Sequence, residues 1–439
     1  MTRALRRALC CALTTYALAI ESSPAVANGR FPAAGQLVVD PAEASHIVVR
    51  TTFGLLQTFD GGVTWSWICE QAVSPDGFQD PEIIVTTGGR TAVGLADGLA
   101  VGDRDGCQWT RAPGLANIAV IDLVESRADP GVAYAAAAVQ VDGAFNGLVA
   151  GTTDGLSWAA KGTLLPDAYP LTIEMAPSRP ERLYLGADDG NLENGFIAVS
   201  DDGGMEWTIR SAPAGVDGVY VSAVDPDNPD RVYVRSFSPR HSLYVSEDGA
   251  STWTLIDDVS FPMTGFALSP DGQQIAVGGS GGLEILGRSG TAGGSTFAVT
   301  TTNPLPVSCL AWTMGGLYAC ADETSAGFSI GVSTDGAQTF SPLLHWADLR
   351  LLSCDSRSSA SACSSLWCAT ATTIGASCAA TTDAGSDAED HTGRAPKNAG
   401  AGCACDEAGR SSSPSVVSIV VAALTVWRRA RHRRAVPRS

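Results

Sequence analysis

Carboxylates are the most numerous side chains of this sequence that could take part in catalysis. Its 439 residues include 46 Asp and Glu, against 28 Lys and Arg. Two carboxyl groups held close together can hydrolyse a glycosidic bond, but a sequence does not show which carboxyls meet. No nucleophile elbow, phosphate-binding glycine loop or His-Glu-x-x-His motif is present. The histidines are scattered, so we predict no metal site and no other cofactor; they are His46, His241, His345, His391 and His432.

Many of the Asp residues belong to a turn motif that recurs along the chain. The clearest copy is Thr58-x-Asp60-x-Gly62-x-Thr64-Trp65. An Asp in such a turn accepts hydrogen bonds from backbone N–H groups, so we predict a structural role. The copies close on Trp65, Trp109, Trp158, Trp207, Trp253, Phe297 and Phe340, and six of them contain the Asp: Asp60, Asp105, Asp154, Asp202, Asp248 and Asp335.

Each repeat also contains four short apolar runs bounded by Gly, Pro and Asp. In the fifth repeat these runs are 221–224, 231–234, 242–245 and 253–256. Four strands in roughly 40–50 residues is the size of one propeller blade. The sequence therefore predicts an all-β fold: a seven-bladed β-propeller of four-stranded antiparallel blades over residues 28–345. The motif would connect strands three and four of each blade.

The repeats resemble the Asp-box (BNR) repeats of sialidase-like, sortilin-like and photosystem-assembly-factor-like propellers, over roughly residues 35–345. The resemblance implies that the boxes are structural turns on the face away from the ligand. A sialidase would also need an arginine triad, a Tyr–Glu pair and an Asp acid, with a hallmark Arg-Ile-Pro before the first box. The nearest segment, Arg30-Phe31-Pro32, has no strand context and is interpreted as a chance match. No catalytic residue is assigned.

Loops between strands two and three lie on the face opposite the motif turns, and here they are long and polar. Loops on a rigid scaffold often carry function, so we predict a ligand-binding rim there; the alternative is that these loops are merely solvated. Charge reversal at Asp188, Asp189 and Glu193 is then expected to abolish partner capture. The predicted rim residues are Asp142, Asn146, Asp188, Asp189, Asn191, Glu193, Asn194, Arg240, His241, Asp322 and Glu323.

Eight cysteines lie between the two chain ends, and an even number in an exported chain indicates disulfides. A two-residue turn at Met314-Gly315 would place Cys309 opposite Cys320, so we predict that these two pair. By elimination, Cys69 is expected to pair with Cys107. The other four would staple a small appendage over residues 346–378, with a connectivity that the sequence leaves open; they are Cys354, Cys363, Cys368 and Cys378. No histidine lies near Cys363 and Cys368, which argues against zinc.

Both chain ends indicate export. Residues 1–27 combine three arginines, an apolar run and a small-residue cleavage site, as in a secretory signal peptide; an uncleaved anchor is the alternative. Residues 379–413 suit a flexible spacer containing Cys403 and Cys405. Residues 414–439, an apolar run followed by arginines, resemble a MYXO-CTERM-type sorting tail. That resemblance implies display at the cell surface; the alternative is a weak transmembrane anchor.

The net charge of −18 disfavours nucleic acid as a partner, because its phosphates must be neutralised by Lys and Arg. We therefore predict a secreted or surface-displayed propeller, attached to membrane only through its tail, that binds protein, peptide or glycan without chemistry. The alternative is a sialidase-like glycoside hydrolase or lyase, and a third possibility is an assembly role. Arginines and paired carboxylates converging at the central funnel would favour the enzyme.

Overall fold

The computed structural model describes residues 32–75, 80–189, 194–238, 241–290 and 295–378. Within these ranges the chain forms seven sheets of four antiparallel strands each, one of which gains a fifth strand. This confirms the predicted all-β, seven-bladed propeller. The signal peptide predicted over 1–27, the spacer over 379–413 and the tail over 414–439 lie outside the described residues, as do Asn191, Glu193 and Arg240.

Each blade is one continuous stretch of chain, and its strands follow one another from the central axis outward. Blade 1 contains β1 (Ala34–Val39), β2 (Ile47–Thr51), β3 (Gly54–Thr58) and β4 (Ser66–Ile68). Blade 2 contains β5 (Ile83–Thr86), β6 (Arg90–Leu95), β7 (Gly98–Gly102) and β8 (Trp109–Arg111). Blade 3 contains β9 (Ala119–Glu125), β10 (Ala133–Val141), β11 (Ala144–Thr152) and β12 (Ala159–Leu165). Blade 4 contains β13 (Ala168–Ala176), β14 (Arg179–Asp189), β15 (Gly195–Ser200) and β16 (Thr208–Ser211).

The other three blades repeat the same order. Blade 5 contains β17 (Asp217–Val224), β18 (Val232–Ser238), β19 (His241–Ser246) and β20 (Thr254–Val259). Blade 6 contains β21 (Met263–Leu268), β22 (Gln274–Gly279), β23 (Gly282–Ser289) and β24 (Thr296–Asn303). Blade 7 contains β25 (Val307–Thr313), β26 (Gly316–Ala321), β27 (Ile330–Ser333) and β28 (Ser341–Leu344). The described helices are α1 (Glu70–Val73), α2 (Glu323–Ala326) and α3 (Cys363–Ile374), with 3₁₀ turns at 87–89, 113–115, 346–348 and 359–362.

The hydrophobic core lies between the blades. Every residue of β2 and β3 is buried, because both faces of these middle strands pack against neighbouring blades. An outermost strand such as β16 is exposed throughout. Strands buried on both faces read as continuous apolar runs rather than as alternating patterns. This explains the short apolar runs of the sequence.

Most of the innermost strands contain a β-bulge, a feature that the sequence repeats did not reveal. Six of the seven, all except β5, have a shift of register against the second strand, as a β-bulge produces. A polar residue at or beside the bulge often reaches the next blade. The Oγ1 of Thr172 accepts the backbone N–H of Val221 at 2.8 Å, and Ser308 donates to the carbonyl of Ala34 at 2.7 Å. The second of these bonds helps to close the ring between blades 7 and 1.

The recurrent turns join strands three and four, as the sequence predicts. In the first blade, Asp60 Oδ1 accepts the backbone N–H of Thr64 at 2.9 Å, and Thr58 donates to the same carboxylate at 2.7 Å. Asp154, Asp202, Asp248 and Asp335 accept equivalent bonds in their own turns. These turns also dock on the preceding blade: Trp65 Nε1 donates to the carbonyl of Leu343 at 3.1 Å.

The second turn corrects the assignment of Asp105. There Asp103 Oδ1 accepts the N–H groups of Cys107 at 2.8 Å and Gln108 at 3.1 Å. Asp103 holds the position of the motif's Ser or Thr, and its carboxylate, in place of that of Asp105, accepts these donors. Asp105 contributes its backbone carbonyl, which accepts the side chain of Gln57 at 2.6 Å.

After blade 7 the chain crosses the outer edge of blade 1. There β29 (Arg350–Leu351) pairs in parallel with β4 as a fifth strand. Helix α3 follows, and its Trp367 lies 5.5 Å from Trp67 between ring centroids. Residues 345–378, which we call the C-terminal strap, therefore belong to the same core as blade 1. Among the described residues no helix has the length and apolar character needed to cross a membrane.

The disulfides follow from this path. The predicted bond between Cys309 and Cys320 is confirmed, and the two residues are opposed in the β25–β26 hairpin. The predicted bond between Cys69 and Cys107 is wrong. Cys69 bonds Cys363, and Cys107 bonds Cys354, because the strap passes directly over both positions. The prediction that the other four cysteines staple an appendage is confirmed. Cys368–Cys378 lies within the appendage, and Cys354 and Cys363 bond it to blades 2 and 1.

Candidate ligand-binding site at the mouth of the central channel

The two faces of the propeller are built from different connections. The turn face carries the Asp turns and the loops between strands one and two of each blade. The linker face carries the loops between strands two and three and the links between blades. All the predicted rim residues that the structure describes lie in loops, or at the strand ends beside loops, of the linker face: β10–β11, β14–β15, β18–β19 and β26–β27.

Several of these residues stabilise their own loops. Asp322 caps α2 by accepting the N–H of Ser325 at 3.0 Å. Glu323 accepts the backbone N–H of Trp346 at 2.9 Å, which holds the start of the C-terminal strap. We therefore assign Asp322 and Glu323 to the closure of blade 7.

Two more rim positions have local partners. Asn194 donates to Asp189 at 2.7 Å across the β14–β15 loop. Asn146 accepts the N–H of Asp167 at 3.2 Å, which fixes the two-residue link between blades 3 and 4. Asp142 is exposed at the tip of its hairpin with a positive φ of 51°. Asn194 also borders an open groove of about 380 Å³ at the outer edge of blade 4.

Asp188 and His241 belong to a different group, which we call the aromatic mouth. It consists of Phe145, Tyr169, Asp188, Tyr220, Phe237 and His241. These residues lie on the linker face of blades 3, 4 and 5. Tyr169 and Tyr220 are on innermost strands, and the other four are on second or third strands.

The rings of the aromatic mouth form two edge-to-face pairs. Phe145 and Tyr169 meet at 4.9 Å between centroids, and Tyr220 and Phe237 meet at 4.7 Å. Tyr169 pairs in register with Asp188 on β14. All four aromatic residues are half-buried.

A carboxylate and an imidazole lie beside these rings. Asp188 is 8% exposed. Its Oδ1 lies close to Gly218 of the next blade, since a Cβ atom added to that glycine would be 3.7 Å away from it. Burial raises the pKa of Tyr169, and the nearby Tyr220 and Asp188 raise it further. The Nδ1 of His241 is buried and makes no hydrogen bond to the described part of the chain. The mouth therefore combines aromatic rings, a carboxylate and an imidazole nitrogen that has no hydrogen-bond partner among the described residues.

Charged side chains from five blades converge below the mouth. Glu82, Asp122 and Glu174 come from the inner edges of blades 2, 3 and 4. Arg235 of blade 5 interacts electrostatically with all three of them, and Arg50 of blade 1 interacts with Glu82. Arginines and carboxylates thus meet at the axis, as the enzymatic alternative requires.

Two members of this group are already engaged in linking blades. Asp122 accepts the N–H groups of Leu123 at 2.9 Å and of Ile173, in the next blade, at 2.7 Å. Arg235 donates to Ser222 at 2.9 Å and to the carbonyl of Met263 in blade 6, also at 2.9 Å. These bonds orient the side chains along the ring, where they hold adjacent inner strands together.

The carboxyls nearer the turn face are different. Burial raises the pKa of Glu125 to about 7 and that of Glu174 to about 8, although the positive charge of Arg127 opposes both shifts. Desolvation disfavours the charged form of a carboxyl, so both groups titrate near neutral pH. They can serve as proton donors or acceptors facing the axis.

The sequence did not reveal Tyr169, Tyr220 or the axial carboxyls as site residues. In the sequence, these residues appear only as polar or aromatic residues that interrupt the first apolar run of a repeat. Such an interruption points to a site only once it is known that the first strands of seven blades surround one axis. No group of three or more His, Cys, Asp or Glu able to hold a metal ion occurs in the described ranges.

Comparisons with known proteins establish the fold alone. No family model matches the sequence, and no curated protein matches it. A crystal structure of an ancestral GH74 enzyme matches with a TM-score of 0.54 at 14% identity, covering 70% of this chain and 46% of that chain. The chain thus spans less than half the length of that enzyme. Hydrazine synthase of Kuenenia stuttgartiensis matches with a TM-score of 0.51 at 13% identity, covering 72% of this chain and 99% of that chain.

A third structure, YCF48 bound to D1 peptide, matches at a TM-score of 0.36 and 14% identity, with 54% of this chain and 69% of that chain covered. The protein is a seven-bladed β-propeller, and its similarity to these structures extends to the fold alone. The four disulfides of the described residues indicate an oxidising, extracytoplasmic environment.

Proposed function

We propose that this protein is an exported, non-enzymatic binding or scaffolding propeller that takes a protein, peptide or glycan at the aromatic mouth. One observation carries the proposal: four half-buried aromatic residues from three blades pair on the linker face instead of packing in a core. Aromatic side chains supply large contact areas at low entropic cost and are enriched at binding surfaces.

Export and surface display form part of the same proposal. The signal-like residues 1–27, the disulfides and the tail with its MYXO-CTERM-type resemblance support a location at the cell surface. The hydrogen bonds of the Asp turns support their assignment as Asp-box repeats, whose role here is to hold each outer hairpin and dock it on the preceding blade.

Binding at the mouth is testable with arrays of glycans and peptides probed with the full chain. The double variant Tyr169→Leu/Tyr220→Leu removes two rings but keeps apolar volume. The matched control is Trp312→Leu in β25, a half-buried aromatic outside the mouth. We expect any ligand of the full chain to be retained by the control and lost by the double variant. A ligand that binds the double variant equally well would contradict the proposal.

A glycoside hydrolase is the second candidate, because Glu125 and Glu174 lie on adjacent inner strands with raised pKa values. A carboxylic acid that stays protonated near neutral pH can act as a general acid. We favour binding because Asp122 and Arg235, the neighbours such chemistry would need, are engaged in bonds between blades. Release of reducing sugar from a polysaccharide panel, lost in both Glu125→Gln and Glu174→Gln, would establish the enzyme instead.

A further inference from the structure

We propose that the aromatic mouth recognises a cation, namely the ammonium or guanidinium group of a lysine or arginine side chain presented by a partner protein. The inference rests on the proposed function and specifies its ligand. The mouth contains three kinds of group that each attract positive charge: aromatic rings, a carboxylate and an imidazole nitrogen. Because they are close together, they define one binding position for a cation.

The aromatic rings are the first part. The face of an aromatic ring carries partial negative charge and attracts cations placed within about 6 Å of its centroid. The protein already uses this attraction at the mouth, because the Arg235 guanidinium carbon lies 5.7 Å from the Phe237 ring centroid. In the edge-to-face pairs Phe145–Tyr169 and Tyr220–Phe237, the rings are approximately perpendicular, so faces point in several directions.

The electrostatic field is the second part. Asp188 lies beside Tyr169, and its charge contributes to the raised pKa of that phenol. Further along the axis, burial raises the pKa values of Glu82, Asp122 and Glu174, which favours their neutral forms, and Arg235 adds a positive charge beside Phe237. Asp188 is therefore the carboxylate that would draw a cation to the rings.

The third part is a hydrogen-bond acceptor. The buried Nδ1 of His241 has no partner in the described part of the chain, and its ring lies 5.9 Å from that of Phe237. A neutral imidazole nitrogen accepts a hydrogen bond from an ammonium or guanidinium N–H group. A buried polar atom without a partner is costly, so a ligand that satisfies it gains affinity.

The test is titration calorimetry of the full chain, with its disulfides intact, against hexalysine, hexaarginine and hexaglutamate. We expect both cationic peptides to bind and hexaglutamate not to bind. Comparing the first two separates ammonium from guanidinium recognition. Tyr169→Leu and Tyr220→Leu should each weaken binding about tenfold, which is the magnitude of a partly desolvated cation–π contact. Tyr169→Phe keeps the ring face and should bind within about twofold of the full chain.

The matched control is Glu206→Gln, which removes one charge from an exposed turn on the opposite face. It should leave affinity within about twofold, whereas Asp188→Asn should weaken it severalfold. Thermal melting confirms that each variant is folded. Equal losses in Glu206→Gln and the tyrosine variants would mean diffuse attraction and would overturn the inference.

Failure of the inference is distinguishable from failure of the proposed function. If a neutral oligosaccharide binds and is lost in Tyr169→Leu/Tyr220→Leu while hexalysine and hexaarginine do not bind, the cation is wrong and the binding mouth stands. If the cationic peptides bind the folded double variant undiminished, the mouth is not where they bind, and the inference falls.

Discussion

Single carboxyl groups in this protein have opposite roles that depend on their place. On the turn face, Asp60 accepts bonds from its own turn, and these overcome its burial and lower its pKa to about 2. The carboxyl of Glu174, on an innermost strand, accepts no hydrogen bond from the described residues, and burial raises its pKa to about 8. The first kind of carboxyl stabilises the fold when charged, and the second kind when neutral.

The Asp turns yield a prediction about the second blade. Asp103→Ala should lower the free energy of unfolding by about 1–3 kcal/mol, because two backbone N–H groups lose a charged acceptor. Asp105→Ala, two residues away, should change it by no more than about 0.5 kcal/mol. Urea denaturation of both variants measures the difference. A larger effect at Asp105 would restore the assignment made from the sequence.

The axial carboxyls yield a prediction about pH. Between about pH 4.3 and their raised folded pKa values, Glu125 and Glu174 hold protons that the unfolded chain has released. Their stabilising contribution is therefore complete below about pH 4.3 and is lost as the pH rises through 7 and 8. The melting temperature should fall between pH 5 and pH 8.5.

Substitutions identify the carboxyl groups that cause this fall in melting temperature. Glu125→Gln and Glu174→Gln should each make the melting temperature depend less steeply on pH. Glu206→Gln, at an exposed turn position, should leave that pH dependence unchanged. Differential scanning calorimetry across the pH range provides the measurement. An undiminished slope in both axial variants would show that other groups cause it.

At the scale of elements, the bulged inner strands connect one blade to the next. Thr172→Val preserves shape but leaves the backbone N–H of Val221 without its acceptor. We expect a loss of about 1–3 kcal/mol. Thr208→Val in the exposed outer strand β16 is the matched control and should be nearly neutral. Chemical denaturation measures both; equal effects would mean that the bond between blades contributes nothing.

At the scale of the whole molecule, the strap joins the last blade to the first two. The bond Cys69–Cys363 spans 294 residues and Cys309–Cys320 spans 11. A cross-link over a longer loop removes more entropy from the unfolded chain, which favours the former by up to about 3 kcal/mol. The double variant Cys69→Ser/Cys363→Ser should therefore destabilise the protein more than Cys309→Ser/Cys320→Ser does. Denaturation under non-reducing conditions tests this order.

The repeat made the fold predictable, because each blade is formed by one continuous segment of the sequence and contains its own turn motif. The hairpin that pairs Cys309 with Cys320 was predictable for the same reason. The partners of Cys69 and Cys107 were not, since they depend on where the strap travels after blade 7. The aromatic mouth likewise assembles from residues of three blades, such as Phe145, Tyr169 and Tyr220, and no spacing within one repeat encodes their meeting.

The strap also determines how the molecule would respond to a pull. Tension applied to the chain beyond Cys378 passes through Cys368 into α3, and then through Cys363 into blade 1. The disulfides transmit that force to blade 1 and bypass β27 and β28. Without them, the hydrogen bonds of these two strands would break one after another. A propeller tethered by its trailing end could therefore hold a load without unravelling from its final blade.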